Sequence, residues 1–221
     1  FARVDVDRTR RCGQPEAVLG EGKTPEQVHG VLEALFEAGE VALATRVSAR
    51  MAEFLNQNLG AMGGVYDPES RCFYMPRSKP MRRRGRIAVV SAGTSDGPVA
   101  AEAALTATLM GHEVDRVNDV GVAGLHRILY QVERLRSAQV IIVVAGMEGA
   151  LPSVVAGLLD RPIIAVPTSI GYGVSTGGFV ALMGMLGGCA PGVTVVNIDN
   201  GFGAAYAAGL MCGVHDVLEA S

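Results

Sequence analysis

The side chains best able to do chemistry in this sequence cluster in short loops rich in glycine and hydroxyl residues. The first is Ser91-Ala92-Gly93-Thr94-Ser95-Asp96-Gly97-Pro98, between an apolar run and a helical pattern. Backbone N–H groups in such a loop, with a helix N-terminus behind them, form a site for an anion such as a phosphate. Asp96 is a poor phosphate ligand but suits a ribose hydroxyl. The plainer role for Ser95 or Asp96 is to cap the helix. The loop matches neither G-x-G-x-x-G nor the Walker A pattern, so a nicotinamide-dependent oxidoreductase is not indicated.

A second loop runs from Asp119 to Arg127 and places His126 and Arg127 just inside a helix start. Both are candidate ligand contacts, and a histidine there is as often a plain surface residue. The third, Ala145-Gly146-Met147-Glu148-Gly149-Ala150-Leu151-Pro152-Ser153, follows a very apolar strand. Its Glu148 sits among small residues and suits either an acid–base role or pairing with the next helix N-terminus. Gly146 and Met147 beside it are candidate substrate contacts. The fourth loop, Pro167 to Gly178, carries Gly171, Gly173, Gly177 and Gly178 with Thr168, Ser169, Tyr172, Ser175 and Thr176. A connection this long is more often functional than idle, and Ser169 is its candidate contact. In Asn197-Ile198-Asp199-Asn200-Gly201-Phe202-Gly203, Asp199 or Asn200 either caps the last helix or touches ligand. Cys189, in Gly187-Gly188-Cys189-Ala190-Pro191-Gly192, reads by itself as a small buried hydrophobe. Cys12, Cys72 and Cys212 have no polar company that points to reactivity.

These loops need a framework. Ile87–Val90 is followed by a helical pattern from Val99 to Met110, and the unit recurs. Glu113–Val117 precedes Ala123–Leu135, Val140–Val144 precedes Leu151–Leu159, Ile163–Val166 precedes Phe179–Leu186, and Val193–Val196 precedes Ala204–Met211. Short strands that are apolar on both faces, alternating with helices, predict a parallel sheet covered on both sides. The expected fold is α/β, a flavodoxin-like three-layer domain over residues 81–221. Ligands of such sheets bind outside the carboxyl ends of the strands, where these loops lie.

Residues 1–80 read as a smaller, mostly helical N-terminal region. Thr24-Pro25-Glu26-Gln27 has a cap, a proline at the first helical position and a capping-box glutamine. Val28, Val31, Leu32 and Leu35 then follow helical spacing. A second helix is predicted from Ser48 to Leu59, stopping near Gly60. Tyr66 to Pro80, with Pro68, Pro76 and Pro80, reads as an irregular linker. Arg8, Arg10, Arg11 and Lys23 either grip phosphates or form a solvated basic face.

Composition narrows the function classes. Apolar residues make up 49% of the 221, Trp is absent and Gly numbers 29, which suits a packed core of tight βα units. The net charge of −3 and the lack of a basic run argue against a nucleic-acid partner. No stretch approaches the roughly 20 apolar residues of a membrane span. The charged start (Arg3, Asp5, Asp7, Arg8) shows no secretory signal pattern. The cysteines form no C-x-x-C pair, which argues against zinc and a disulfide scaffold. Reduced thiols and a cytoplasmic location are the expectation.

The loops Ser91–Asp96, Gly121–Arg127, Ala145–Ser153 and Asn197–Ala204 together resemble the LarB family, the pyridinium-3,5-biscarboxylic acid mononucleotide synthases of nickel pincer cofactor biosynthesis. Asp7-Arg8 through Pro15-Glu16 to Gly22-Lys23, and Leu43-Ala44-Thr45-Arg46, carry the likeness into the N-terminal region. The C-terminal domain is similar, more distantly, to aminoimidazole ribonucleotide carboxylase. The resemblance implies an enzyme that takes nicotinic acid adenine dinucleotide and carbon dioxide or bicarbonate. It carboxylates ring carbon 5 and hydrolyses the phosphoanhydride, releasing AMP. Cys189 matches the family's nucleophile and Glu148 its acidic partner. The 91–96 loop (Ser91, Gly93, Thr94, Ser95, Asp96) would hold the ribose phosphate. Magnesium is implied, without indicated ligands, and no organic cofactor beyond the substrate. A homo-oligomer of the octameric type is implied as well. A helix-to-strand turn lies away from the carboxyl ends of the strands, so Cys189 is expected to enter the site of a neighbouring subunit. The alternatives are an aminoimidazole ribonucleotide carboxylase or mutase, and a nucleotide-binding module without catalysis.

Overall fold

The computed structural model describes residues 3–76 and 85–219, the last six by backbone alone. Of these, residues 3–76 form most of one compact unit, and residues 85–108 with 112–219 form the other.

The first unit contains α1 (Arg8–Cys12), β1 (Val18–Leu19), α2 (Pro25–Glu37), β2 (Ala42–Thr45), α3 (Ala49–Leu59), β3 (Val65–Asp67) and β4 (Cys72–Met75). The capping box at Thr24 is formed in both directions, and Val28, Val31, Leu32 and Leu35 are the buried face of α2. Ser48 caps α3 and Gly60 ends it. Helix predominates over strand in this unit, as expected, and its helices pack on a four-stranded sheet of order β1-β2-β4-β3 that the sequence did not announce. Part of the predicted linker is the β3–β4 hairpin. Asp67 closes it by accepting from Ser70 N–H (3.2 Å) and Ser70 Oγ (2.6 Å). Pro68 and Pro76 flank strands rather than mark irregular chain, while Pro80 lies outside the described residues. Phe73 and Met75 of β4 join Leu32, Leu35, Leu55 and Leu59 in one core.

The second unit holds β5 (Arg86–Ser91), α4 (Gly97–Leu109), β6 (Glu113–Val117), α5 (Leu125–Leu129), α6 (Val132–Leu135), β7 (Val140–Ala145), α7 (Leu151–Leu158), β8 (Ile163–Pro167), α8 (Phe179–Leu186), β9 (Val193–Val195) and α9 (Gly201–Glu219). Every strand pair is parallel, in the order β6-β5-β7-β8-β9. This is the expected flavodoxin-like α/β architecture. Strand residues alternate between two cores. Ala88, Val90, Ile141, Val143 and Ala165 meet Ile128, Leu135, Leu151, Val155 and Met185 on one face. Val89, Ile142, Val144, Ile164 and Val166 meet Ala100, Ala103, Ala107, Ala204 and Ala208 on the other. The alanines of α4 and α9 let both helices lie close on the sheet, which explains their weak amphipathic pattern. From β5 the chain crosses to β6 on one side, then to β7 on the other. The carboxyl ends of β5 and β7 therefore flank a topological switch point, where open α/β sheets bind ligands.

Candidate active site

A cleft of ≈ 380 Å³ opens at that switch point. The β5 loop contributes Gly93, Thr94, Ser95 and Asp96, and the β6 loop contributes Asp119, Gly121 and Arg127. The β7 loop contributes Gly146, Met147 and Glu148, and Ile170 comes from the β8 loop. Its floor and walls include Ala92, Val122, Ala145 and Leu151, so a few polar groups converge in a largely apolar hollow.

Each loop is held by short-range backbone geometry. Thr94–Asp96 form a 3₁₀ turn that runs directly into α4, leaving helix-start amides beside the cleft. Gly121 N–H donates to the Ala92 carbonyl (2.8 Å), and a Cβ at Gly121 would stand 2.9 Å from that oxygen. Only glycine lets the β5 and β6 loops come so near. Asp119, Met147 and Asp199 all adopt left-handed backbone, at φ 58°, 53° and 55°. Asp tolerates that region, whereas Met pays for it. At Met147 the turn throws the neighbouring Glu148 outward, and its side chain is exposed at the cleft.

Charge is distributed unevenly. Arg127 Nη1 pairs with Asp119 Oδ2 at 2.9 Å, and Arg127 Nη2 reaches the Gly121 carbonyl at 3.4 Å. Asp96 is buried at 5% exposure. Burial pushes its carboxyl above the ordinary range. Donors from Thr168, Gly93 and Gly146 pull the other way, and the charge of Asp199 adds to the rise.

The remaining candidates stand elsewhere. Ser91 is buried, with Oγ donating to Asn118 Oδ1 at 3.3 Å. His126 is exposed on α5 and stacks edge-on with Tyr130. Asp199 Oδ1 accepts from Ser169 N–H (2.8 Å), and Asn200 Oδ1 caps α9 through Gly203 N–H (2.8 Å). Cys189 is exposed, not the buried hydrophobe its neighbours imply, and does not line the cleft. It follows α8, whose Gly184 packs so closely on Glu148 that a Cβ would meet the Glu148 carbonyl at 2.3 Å. Asp119 is the ionisable cleft residue that the sequence reading passed over; an Asp at a strand end four residues after Asp115 was its visible signal. In the other unit, Arg8, Arg10 and Arg11 are engaged with Asp5, Asp7 and Glu16, as a solvated ion-pair face would be.

Magnesium finds no cage here. Among the described residues no three His, Cys, Asp or Glu side chains converge. Asp96 is occupied by protein donors and Asp119 by Arg127. The protein residues do not fit an all-protein site for the ion, and no step below is routed through it.

The fold and cleft define a flavodoxin-like α/β protein with a ligand cleft at its switch point. Residues 86–220 match the AIR carboxylase family model, and residues 1–77 match the LarB/PurE-like N-terminal domain. With both domains in one chain, the protein belongs to the LarB family. It is 40% identical over 215 residues to an uncharacterised protein of Methanocaldococcus jannaschii, a match covering 95% of this chain and 83% of that one. Among the described residues no helix is long and apolar enough to cross a membrane.

Proposed function

We propose that this protein carboxylates ring carbon 5 of nicotinic acid adenine dinucleotide and cleaves its phosphoanhydride. The observation that carries this reading is the cleft itself. It gathers a carboxylate, Glu148, with the Thr94–Asp96 turn and Arg127 in one lining, on a chain whose two domains match LarB/PurE-like and AIR carboxylase models. The Thr94–Asp96 turn and Arg127 would hold a phosphate, leaving the apolar hollow for the pyridinium ring.

A pyridinium ring is electron-poor, so its carbon 5 cannot attack carbon dioxide. Addition of the Cys189 thiolate to carbon 4 converts the ring to a dihydropyridine, in which carbon 5 is the nucleophilic end of an enamine. Carbon 5 then bonds to carbon dioxide, and the nitrogen lone pair is drawn into an iminium with carbon 6, to be returned when the carbon 5 proton leaves. Glu148 removes the carbon 5 proton. The carbon–sulfur bond breaks, the thiolate leaves and the aromatic cation re-forms. Covalent catalysis thus divides one difficult step into easier ones. The substrate's positive charge favours the thiolate it meets. One water is consumed when the phosphoanhydride opens to AMP and the dicarboxylated mononucleotide.

Cys189 does not line the cleft of its own chain, and on this reading it serves the cleft of another copy. The exposed α8 residues Phe179, Met183 and Leu186, spaced as one helical stripe leading to Cys189, support such an assembly. The solvent-exposed thiol would enter the neighbouring cleft in a homo-oligomer. An active monomer in sedimentation and assay contradicts this part.

The match of residues 86–220 to the AIR carboxylase model favours one second reading, carboxylation of aminoimidazole ribonucleotide. Supplying the enzyme with each substrate separates the two. Turnover of the dinucleotide with release of AMP is expected. Turnover of aminoimidazole ribonucleotide alone overturns the first reading.

A further inference from the structure

An aspartate that binds ribose presents its carboxylate to the ligand. Asp96 instead turns its carboxylate into the protein. Thr168 Oγ1 donates to Oδ1 at 2.7 Å, across 72 positions of sequence. Gly93 N–H donates to Oδ2 at 2.9 Å, and Gly146 N–H is a third donor. These donors come from the ends of three different strands, β5, β7 and β8. Thr168 has 0% exposure, so its hydroxyl has no water to fall back on.

The contacts around this point are equally tight. Thr168 N–H donates to the Ala145 carbonyl (3.0 Å), and Met147 N–H donates to the Ile170 carbonyl (3.1 Å). A Cβ at Gly146 would meet the Ile170 carbonyl at 2.3 Å and Thr168 Oγ1 at 2.7 Å. The β7 and β8 loops are stitched together by backbone bonds. The β5 loop joins them through the Asp96 carboxylate.

We infer that Thr168 is a positioning residue of this cleft: its hydroxyl bond to Asp96 fixes the anion-binding turn at residues 94–96 relative to the loop that presents Glu148. Thr168 does not touch the reacting atoms, and it acts through Asp96. A valine there has the same shape but cannot donate, so the buried carboxylate loses one of its donors and the turn is released. A serine keeps the donor. Misplacing a held reactant against its acid–base group reduces turnover more than binding.

The test uses the full chain as parent, T168V and T168S. Backbone amide exchange is followed by NMR at Gly93 and Gly146, with Val143 and Ile164 as core references. Steady-state kinetics are measured with nicotinic acid adenine dinucleotide. The parent should protect Gly93 and Gly146. T168V should speed exchange at both, spare the references, and lower kcat by about ten- to a hundredfold with a smaller change in KM. T168S should restore protection and kcat together. Parental exchange and kcat in T168V overturn the inference, as does a T168S variant as impaired as T168V. Where T168V does not fold, rapid exchange at Gly93 and Gly146 in the parent overturns it alone. Only the kinetic arm rests on the proposed function. A parent that leaves the dinucleotide untouched refutes that function and leaves the exchange result standing.

Discussion

Arg127 Nη1 stands 2.9 Å from Asp119 Oδ2 at the cleft, an ion pair made from two local exceptions. Asp119 has left-handed backbone, and Arg127 folds across Gly124, where a Cβ would lie 2.5 Å from the guanidinium Nε. The carboxylate therefore competes with any phosphate for this guanidinium. Arg127→Ala should weaken binding of nicotinic acid mononucleotide by about ten- to a hundredfold, the scale of a lost charged hydrogen bond. Asp119→Asn keeps a residue tolerant of the left-handed region and releases the guanidinium, so binding should tighten. Titration calorimetry on both variants checks the pair of signs.

Glu148 is offered to the cleft by the left-handed turn at Met147. Glu148→Gln keeps the shape and removes the base. The expected loss in kcat is about 10²- to 10⁴-fold, with substrate affinity nearly unchanged. A matching loss of affinity would instead make Glu148 a binding group.

Gly146 has no room for a side chain beside the Ile170 carbonyl and Thr168 Oγ1. Gly146→Ala should cost about 1–3 kcal/mol of stability, the usual penalty for overpacking. It should also lower kcat, since Glu148 lies on the same loop. Gly157→Ala, inside α7 with nothing within 4 Å of the new Cβ, is the contrasting control and should leave kcat unchanged and raise stability by up to about 1 kcal/mol. Thermal unfolding and initial rates on the two variants read the contrast.

Much of this arrangement was legible before any coordinates. The apolar runs of β5, β7 and β8, each ending in a loop with glycine, mark a parallel sheet because only strands covered on both faces need be apolar throughout, while the edge strand β6 (Glu-Val-Asp-Arg-Val) was legible only from the recurring strand–helix unit. The loops after β5, β6 and β7 meet because chain reversal brings those strand ends together. Spacing did not reveal which side chain in each loop faces the cleft. Asp96 turns inward because Thr168 lies opposite it, 72 positions away, and a local pattern does not contain that neighbour. The β3–β4 hairpin was hidden for a different reason. Its strands are three and four residues long, too short for alternation to stand out, and the prolines beside them resemble loop punctuation.

Acid stability should carry opposite contributions from two aspartates. A side-chain hydrogen bond from Arg134 holds Asp115 below the ordinary carboxyl value of 3.8, with Nε donating at 2.8 Å. Its folded form binds fewer protons than the unfolded chain. This stabilisation is present above pH 3.8 and is lost as pH falls through the lowered folded value. Asp96 is shifted upward by burial. Its contribution favours the folded state below 3.8 and is lost as pH rises through the raised value. Asp115→Asn should reduce stability at neutral pH by less than about 1 kcal/mol, because the pair is partly exposed, and should flatten the decline below pH 4. Urea unfolding from pH 2 to pH 7 measures both features. A variant with the parental slope at low pH contradicts the assignment.

The central claim is carboxylation of the dinucleotide through Cys189. Its most direct measurement follows label from bicarbonate into product, beside intact-protein mass spectrometry, for the parent and Cys189→Ala. The account predicts labelled dicarboxylated mononucleotide and AMP from the parent, with a transient covalent adduct, and neither product nor adduct from the variant. Labelled product from both proteins would remove Cys189 from the reaction, and a folded parent that yields no labelled product would contradict the account as a whole.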